Sequence, residues 1–109
     1  MAELDDNAGA QLRVETSSDA AGQPVIRVAG DLDISSVDGL RSAVEAATVT
    51  RPDRLTFDLS ALRFMDSAGI AVLLVAAKEV AIVRLRSPSR AVRRVVELTG
   101  LTDVLVVEP

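Results

Sequence analysis

The chain has 109 residues, of which 49% are apolar and only 2% aromatic, with no cysteine, no histidine and a formal net charge of −4. Its length suits one domain with a core of Val, Leu, Ile and Ala. The negative charge and the scarcity of aromatic rings argue against nucleic-acid binding. Without cysteine or histidine, disulfides, thiolate catalysis and the commonest general base are excluded.

The N-terminal residues, 1–10, are small, polar and acidic, which predicts a flexible tail and no signal peptide. The longest apolar stretch, 68–77, is too short to span a bilayer. We therefore expect a cytoplasmic protein with no direct membrane insertion.

Residues 11–109 predict a single domain of strands and helices. Two short alternating segments separated by turn residues indicate a hairpin, and strands then alternate with helices. This order, β-β-α-β-α-β-α-β, predicts an α/β fold whose mixed, mostly parallel sheet of about five strands is covered by helices. The predicted strands are 11–17, 24–30, 54–60, 81–86 and 103–108. The predicted helices start after a Ser35 or Ser36 cap, near Ser67, and after a Ser87 cap with Pro88 in the first turn and Gly100 beyond the end.

The most informative segment is Asp66-Ser67-Ala68-Gly69, which follows a short polar loop and opens the second helix. Asp and Ser are both preferred helix caps, and residue type and position alone favour a capping role for Ser67. However, one cap is enough. If Asp66 caps the helix, the Ser67 hydroxyl becomes available for phosphorylation at a helix N-terminus that favours negative charge. The helix is apolar on nearly all sides, so it is either central or docks a partner.

Four carboxylates, Asp31, Asp33, Asp58 and Asp66, are predicted at or near strand ends. Three of them could hold Mg²⁺, as in a phospho-accepting receiver domain. Such a site calls for a lysine near the end of the last strand, which here reads DVLVVE. The alternative is that Asp31 and Asp33 shape a loop and Asp58 faces solvent. A serine-hydrolase site is excluded because Ser67 has no histidine partner, so we expect no enzymatic activity and no cofactor.

Three segments, VAGDLDISSVDGLRSAV, LTFDLSALRFMDSAGIAVLL and SPSRAVRRVVELTGL, together resemble the STAS family, and within it the bacterial anti-sigma factor antagonists. The likeness covers about residues 11–107. It implies that Ser67 is phosphorylated by an anti-sigma factor that is also a serine kinase, and that ATP belongs to this partner. The unphosphorylated form would bind the anti-sigma factor and release a sigma factor, and a serine phosphatase would restore that form.

The resemblance also implies a partner-binding surface around Ser67. The Gly-x-Leu-Asp element of the family matches Gly30 to Asp33, which places the loop after the second strand near the partner. The implied partner-binding residues are Asp31, Asp33, Ser35, Met65, Asp66, Ala68, Gly69 and Val72.

One departure from the family concerns the second helix, which we expect to end near Ala77 or Lys78 with a tight connection to the next strand. Two other functions remain open. The chain could be a STAS regulatory subunit of a membrane transport ATPase, which needs no phosphoserine. It could also be a small signalling domain that binds a nucleotide or lipid, although no phosphate-binding loop is present.

Overall fold

The computed structural model describes residues 12–109, and the predicted tail, 1–10, lies outside the described residues. Five strands and three helices follow the predicted order. The strands are β1 (Leu12–Ser18), β2 (Pro24–Leu32), β3 (Arg54–Met65), β4 (Ile82–Arg86) and β5 (Leu105–Glu108), and the helices are α1 (Val37–Thr48), α2 (Ser67–Glu79) and α3 (Arg90–Leu98).

The sheet has the strand order β1-β2-β3-β4-β5, in which β1 and β2 are antiparallel and all later neighbours are parallel. This confirms the predicted α/β fold. Alternate strand residues such as Ile26, Phe57 and Leu85, which lie side by side in register, are fully buried. They form one hydrophobic cluster with buried residues of all three helices, so a core of aliphatic side chains holds the domain together.

The other face of the sheet carries a row of charged side chains of alternating sign. Glu15, Arg27, Asp58, Arg86 and Glu108 are successive register neighbours across the five strands. Because side chains alternate between the two faces of a strand, these charges project away from the core. Opposite charges on neighbouring strands stabilise the sheet modestly, by about 0.2–1 kcal/mol per pair.

Strand β3 is longer than the sequence predicted. The segment 61–65, predicted to be part of a polar loop, continues the strand because Leu62 and Met65 are buried and pair with Gly30 and Leu32 of β2. The pairing shifts register twice along the way. This extension carries the chain directly to Asp66, at the edge of the sheet where the parallel strands end.

The cap predicted for the last helix is wrong. Ser87 has a positive φ of 53° and its N–H donates to the carbonyl of Glu108 at 2.9 Å, so it belongs to the end of the sheet. Ser89 caps α3 instead, and its Oγ accepts a hydrogen bond from Val92 N at 3.2 Å. Gly100 does follow the helix, with the positive φ of 73° typical of a C-terminal glycine.

The tight connection after α2 is confirmed. The helix ends at Glu79, and only Val80 and Ala81 separate it from β4. The N–H of Val80 donates to the carbonyl of Ala76 at 3.2 Å, and its side chain is buried. The short link is therefore anchored in the core.

Candidate functional site

Asp66 is the cap of helix α2. Its backbone is extended, and its Oδ1 accepts a hydrogen bond from Ala68 N at 2.9 Å. Because this carboxylate satisfies the helix terminus, Ser67 is the first helical residue and its exposed side chain is not needed for capping. The structure therefore confirms the arrangement in which Asp66 caps the helix and Ser67 is exposed.

The loop between β2 and α1 is held in shape by its own polar side chains. Asp33 Oδ1 accepts hydrogen bonds from Ser35 N at 2.9 Å and Ser35 Oγ at 2.6 Å. These hydrogen bonds hold the pKa of Asp33 below its usual value. The bond from the Ser35 side chain has the larger effect, and the bond from the Ser35 backbone has the next largest. Ser36 occupies the N-cap position of α1 but makes no side-chain capping bond. Its hydroxyl instead accepts from Asp33 N at 3.1 Å and donates to the Asp31 carbonyl at 2.9 Å.

The sheet brings this loop and the start of α2 together. Leu32 and Met65 are register partners at the ends of β2 and β3, and Asp66 N donates to the Leu32 carbonyl at 3.2 Å. Asp31 is opposite Phe64 in the register, and its Oδ2 lies 3.2 Å from Nη2 of Arg63. Residues far apart in sequence thus form one continuous edge at the carboxyl ends of the parallel strands.

Gly69 permits the close approach of α2 to this edge. A Cβ atom at Gly69 would lie 2.6 Å from Met65 Cγ and 2.7 Å from Leu32 Cδ2. Both side chains are almost fully buried, so neither can move easily. The absence of a side chain at this position therefore lets the first turn of α2, which contains Ser67, pack closely against Leu32 and Met65.

Three of the residues expected to contact a partner are buried. Met65, Gly69 and Val72 lie inside the domain. Buried side chains offer little surface to a docked protein, so a direct contact role for these three residues stays a prediction. The residues with accessible surface are the exposed Ser35 and Ser67 and the partly buried Asp31, Asp33, Asp66 and Ala68.

Two apolar residues that the sequence analysis did not single out are exposed at this edge. Ile34 in the loop is 78% exposed, and Phe64 near the end of β3 is 50% exposed. Ile34 lies in the loop that joins β2 to α1, and Phe64 lies on β3 just before the Asp66 cap of α2. The only available signal was their apolar character in two segments that were both interpreted as loops, which is weak evidence for a surface role.

Asp58 does not join the other carboxylates. It lies between Arg27 and Arg86 on the charged face of the sheet. Partial burial raises the pKa of Asp58. The hydrogen bonds from Ser60 and the positive charges of the two arginines outweigh this effect, so the pKa is lowered overall. Within residues 12–109, no three His, Cys, Asp or Glu side chains gather closely enough to hold a metal ion.

Helix length and hydropathy bear on membrane association. Among the described residues, no helix is long and apolar enough to span a bilayer.

The geometry is that of a small α/β domain with an exposed serine that does not cap its helix, in the first turn of α2. Beside it lies a loop held in shape by its own polar side chains. Residues 11–109 match the model of the STAS domain, and the chain belongs to the STAS family. This confirms the resemblance found in the sequence.

Characterised relatives are similar over most of the chain. The anti-sigma F factor antagonist of Lysinibacillus sphaericus is 35% identical over 85 residues, which cover 71% of this chain and 70% of the relative. The solved structure of an anti-sigma factor antagonist from Mycobacterium paratuberculosis has a TM-score of 0.83 at 26% identity, over 92% of this chain and 87% of that one. The phosphorylated form of the Bacillus cell fate determinant SpoIIAA shares the fold, with a TM-score of 0.68 at 24% identity over 89% and 92% of the two chains.

Proposed function

We propose that this protein is an anti-sigma factor antagonist controlled by phosphorylation of Ser67. The observation that carries the proposal is the Asp66 cap, which leaves the Ser67 hydroxyl exposed in the first turn of α2. The names of the relatives from Lysinibacillus and Mycobacterium support the antagonist role. The partner would be an anti-sigma factor with serine kinase activity, which supplies ATP, and a serine phosphatase would reverse the modification.

The unphosphorylated edge suits protein docking. Ile34 and Phe64 offer apolar surface, and Asp31, Asp33 and Ser35 add polar groups held in place by hydrogen bonds within the loop and an ion pair to Arg63. A surface that is already held in place by internal hydrogen bonds loses less conformational entropy on binding than a flexible one. This edge would bind the anti-sigma factor and so release the sigma factor.

Phosphorylation would then block docking without unfolding the domain. The phosphate adds a charge of roughly −1.5 to −2 at a helix N-terminus, which tolerates negative charge. The phosphorylated SpoIIAA structure indicates that this fold is compatible with the modification. For a docked partner, the same charge must be desolvated next to the Asp66 carboxylate, which costs roughly several kcal/mol.

The test is intact mass spectrometry after incubation with ATP and each candidate kinase-type anti-sigma factor of the same genome. We expect one added phosphate on the wild type and none on Ser67→Ala. Ser42→Ala is the matched control, because Ser42 is also an exposed helical serine, on α1. Binding affinity is measured for the same variants with and without ATP.

Three results would contradict all or part of the proposal. Phosphate that persists in Ser67→Ala would place the modification elsewhere. Neither phosphate nor binding with any candidate would remove the antagonist role and favour the transporter-subunit alternative. Binding without phosphate would refute the switch while retaining the antagonist.

A further inference from the structure

Strand β1 forms one edge of the sheet and has backbone groups available for pairing. It is the first strand in the sheet order, and within residues 12–109 no strand pairs with its outer side. Arg13 and Glu15 are exposed on the charged face, whereas Leu12 and Val14 are half-buried against the core. An unpaired edge of this length is a template for a further strand.

The charges on β1 are complementary to a second copy of the same strand. In an antiparallel pair related by a twofold axis at Val14, Arg13 of each copy is opposite Glu15 of the other. An axis at Arg13 or at Glu15 instead places like charges opposite each other. The register at Val14 also keeps the apolar sides of both sheets on one face, so their helices lie in one layer.

Helix α1 has the position and composition that such a pair needs. It packs over β1 and β2, so adjacent β1 strands would bring the two copies of α1 to an interaxial distance of about 10 Å, near the usual range for packed helices. The flank of α1 that faces α2 carries Arg41 and Glu45. By helical spacing the opposite flank carries the small residues Ala43 and Ala47, which permit close approach.

The other sheet edge lacks this complementarity. Strand β5 has four residues, and its single charged residue is Glu108. Asp103, just before the strand, has the same sign. Pairing of β5 with itself would therefore offer no attractive charge pair.

We infer that the chain forms a twofold dimer through antiparallel pairing of β1, with Val14 on the axis. The two sheets then join into one sheet of ten strands, with Arg13–Glu15 pairs on its charged face. The start of β1 lies beside the end of β2, and Ser67 lies at that same end of the sheet. The twofold axis therefore places the two Ser67 sites at opposite ends of the dimer. Each copy keeps its Ser67 accessible, and the dimer does not depend on the proposed phosphorylation.

The test is sedimentation velocity of the full chain over a range of concentrations. We expect the wild type to approach twice the chain mass of 11.5 kDa as concentration rises. Glu15→Arg places arginines opposite each other at both pairs and should weaken the dimer by about tenfold or more. The double swap Arg13→Glu/Glu15→Arg restores both pairs in this register and should recover the dimer. Circular dichroism melts confirm that each variant is folded.

Any of three results would overturn the inference. The wild type could remain monomeric at millimolar concentration, which would also be the result if another segment of the chain covers β1. The dimer could survive Glu15→Arg unchanged, which would place the interface elsewhere. The double swap could fail to recover the dimer although it folds, which would refute the register.

Discussion

Replacement of Gly69 by alanine tests whether close packing sets the position of the phosphorylation site. The added Cβ would lie 2.6 Å from Met65 Cγ, and 2.7 Å and 3.0 Å from Leu32 Cδ2 and Cγ. Real Cβ atoms essentially never come this close, so the helix or both core side chains must move. Overpacking of this kind costs roughly 1–3 kcal/mol, and the better helix propensity of alanine offsets up to about 1 kcal/mol. The expected net loss is about 1–2 kcal/mol.

The assay is thermal and urea unfolding of Gly69→Ala beside Gly39→Ala. A Cβ atom at Gly39 would have no neighbour within 4 Å, so that control should gain up to about 1 kcal/mol from helix propensity alone. For a domain of this size, the loss at Gly69 corresponds to a Tm lower by about 4–15 °C. Gly69→Ala should also bind the anti-sigma factor more weakly, because the start of α2 is displaced. Equal stability gains in both variants would refute the packing argument.

Three further predictions concern the same edge. Asp66→Ala removes the cap of α2 and should lower the free energy of unfolding by about 0.5–2 kcal/mol in urea titrations; no change would mean that another group caps the helix. Phe64→Ala should weaken binding of the anti-sigma factor, measured by calorimetry, by about tenfold with little loss of stability. The control is Leu98→Ala, at an exposed residue on α3, which should leave this binding unchanged. Equal effects of the two substitutions would argue against a docking role for Phe64. The Asp33 carboxyl should titrate below its ordinary value of 3.8 because Ser35 stabilises the charged form, so its contribution to stability is complete above that value and lost as pH falls through the lower folded-state pKa. In NMR titrations, Ser35→Ala should raise the Asp33 midpoint, and an unchanged midpoint would contradict the assigned cause.

The pattern along the chain was sufficient for the order of elements and the fold class. Apolar residues at period two in Leu55, Phe57 and Leu59 identified a strand, and helical spacing identified α1. These local signals survive in the fold because each amphipathic face is buried against a neighbour. Asp66-Ser67 at the start of α2 was also readable, because capping residues act within one helical turn.

Boundaries that depend on distant partners were not readable in the same way. Residues 61–65 contain Arg63 and alternate poorly, yet they continue β3 because β2 provides a pairing partner. Ser87 and Ser89 are both plausible caps by type. Only the pairing of β4 with β5 decides that Ser87 closes the sheet and Ser89 starts the helix.

The sequence by itself determined the chemistry of this protein: an aliphatic α/β domain without histidine or cysteine, with a serine after a capping aspartate. The tertiary structure alone decided which residues face outward around that serine. It buried Met65 and Gly69, and it exposed Ile34 and Phe64. The physical reason is that helix propensity and capping are local, whereas exposure at the end of a sheet depends on strand register, and register is set by contacts between residues about thirty positions apart.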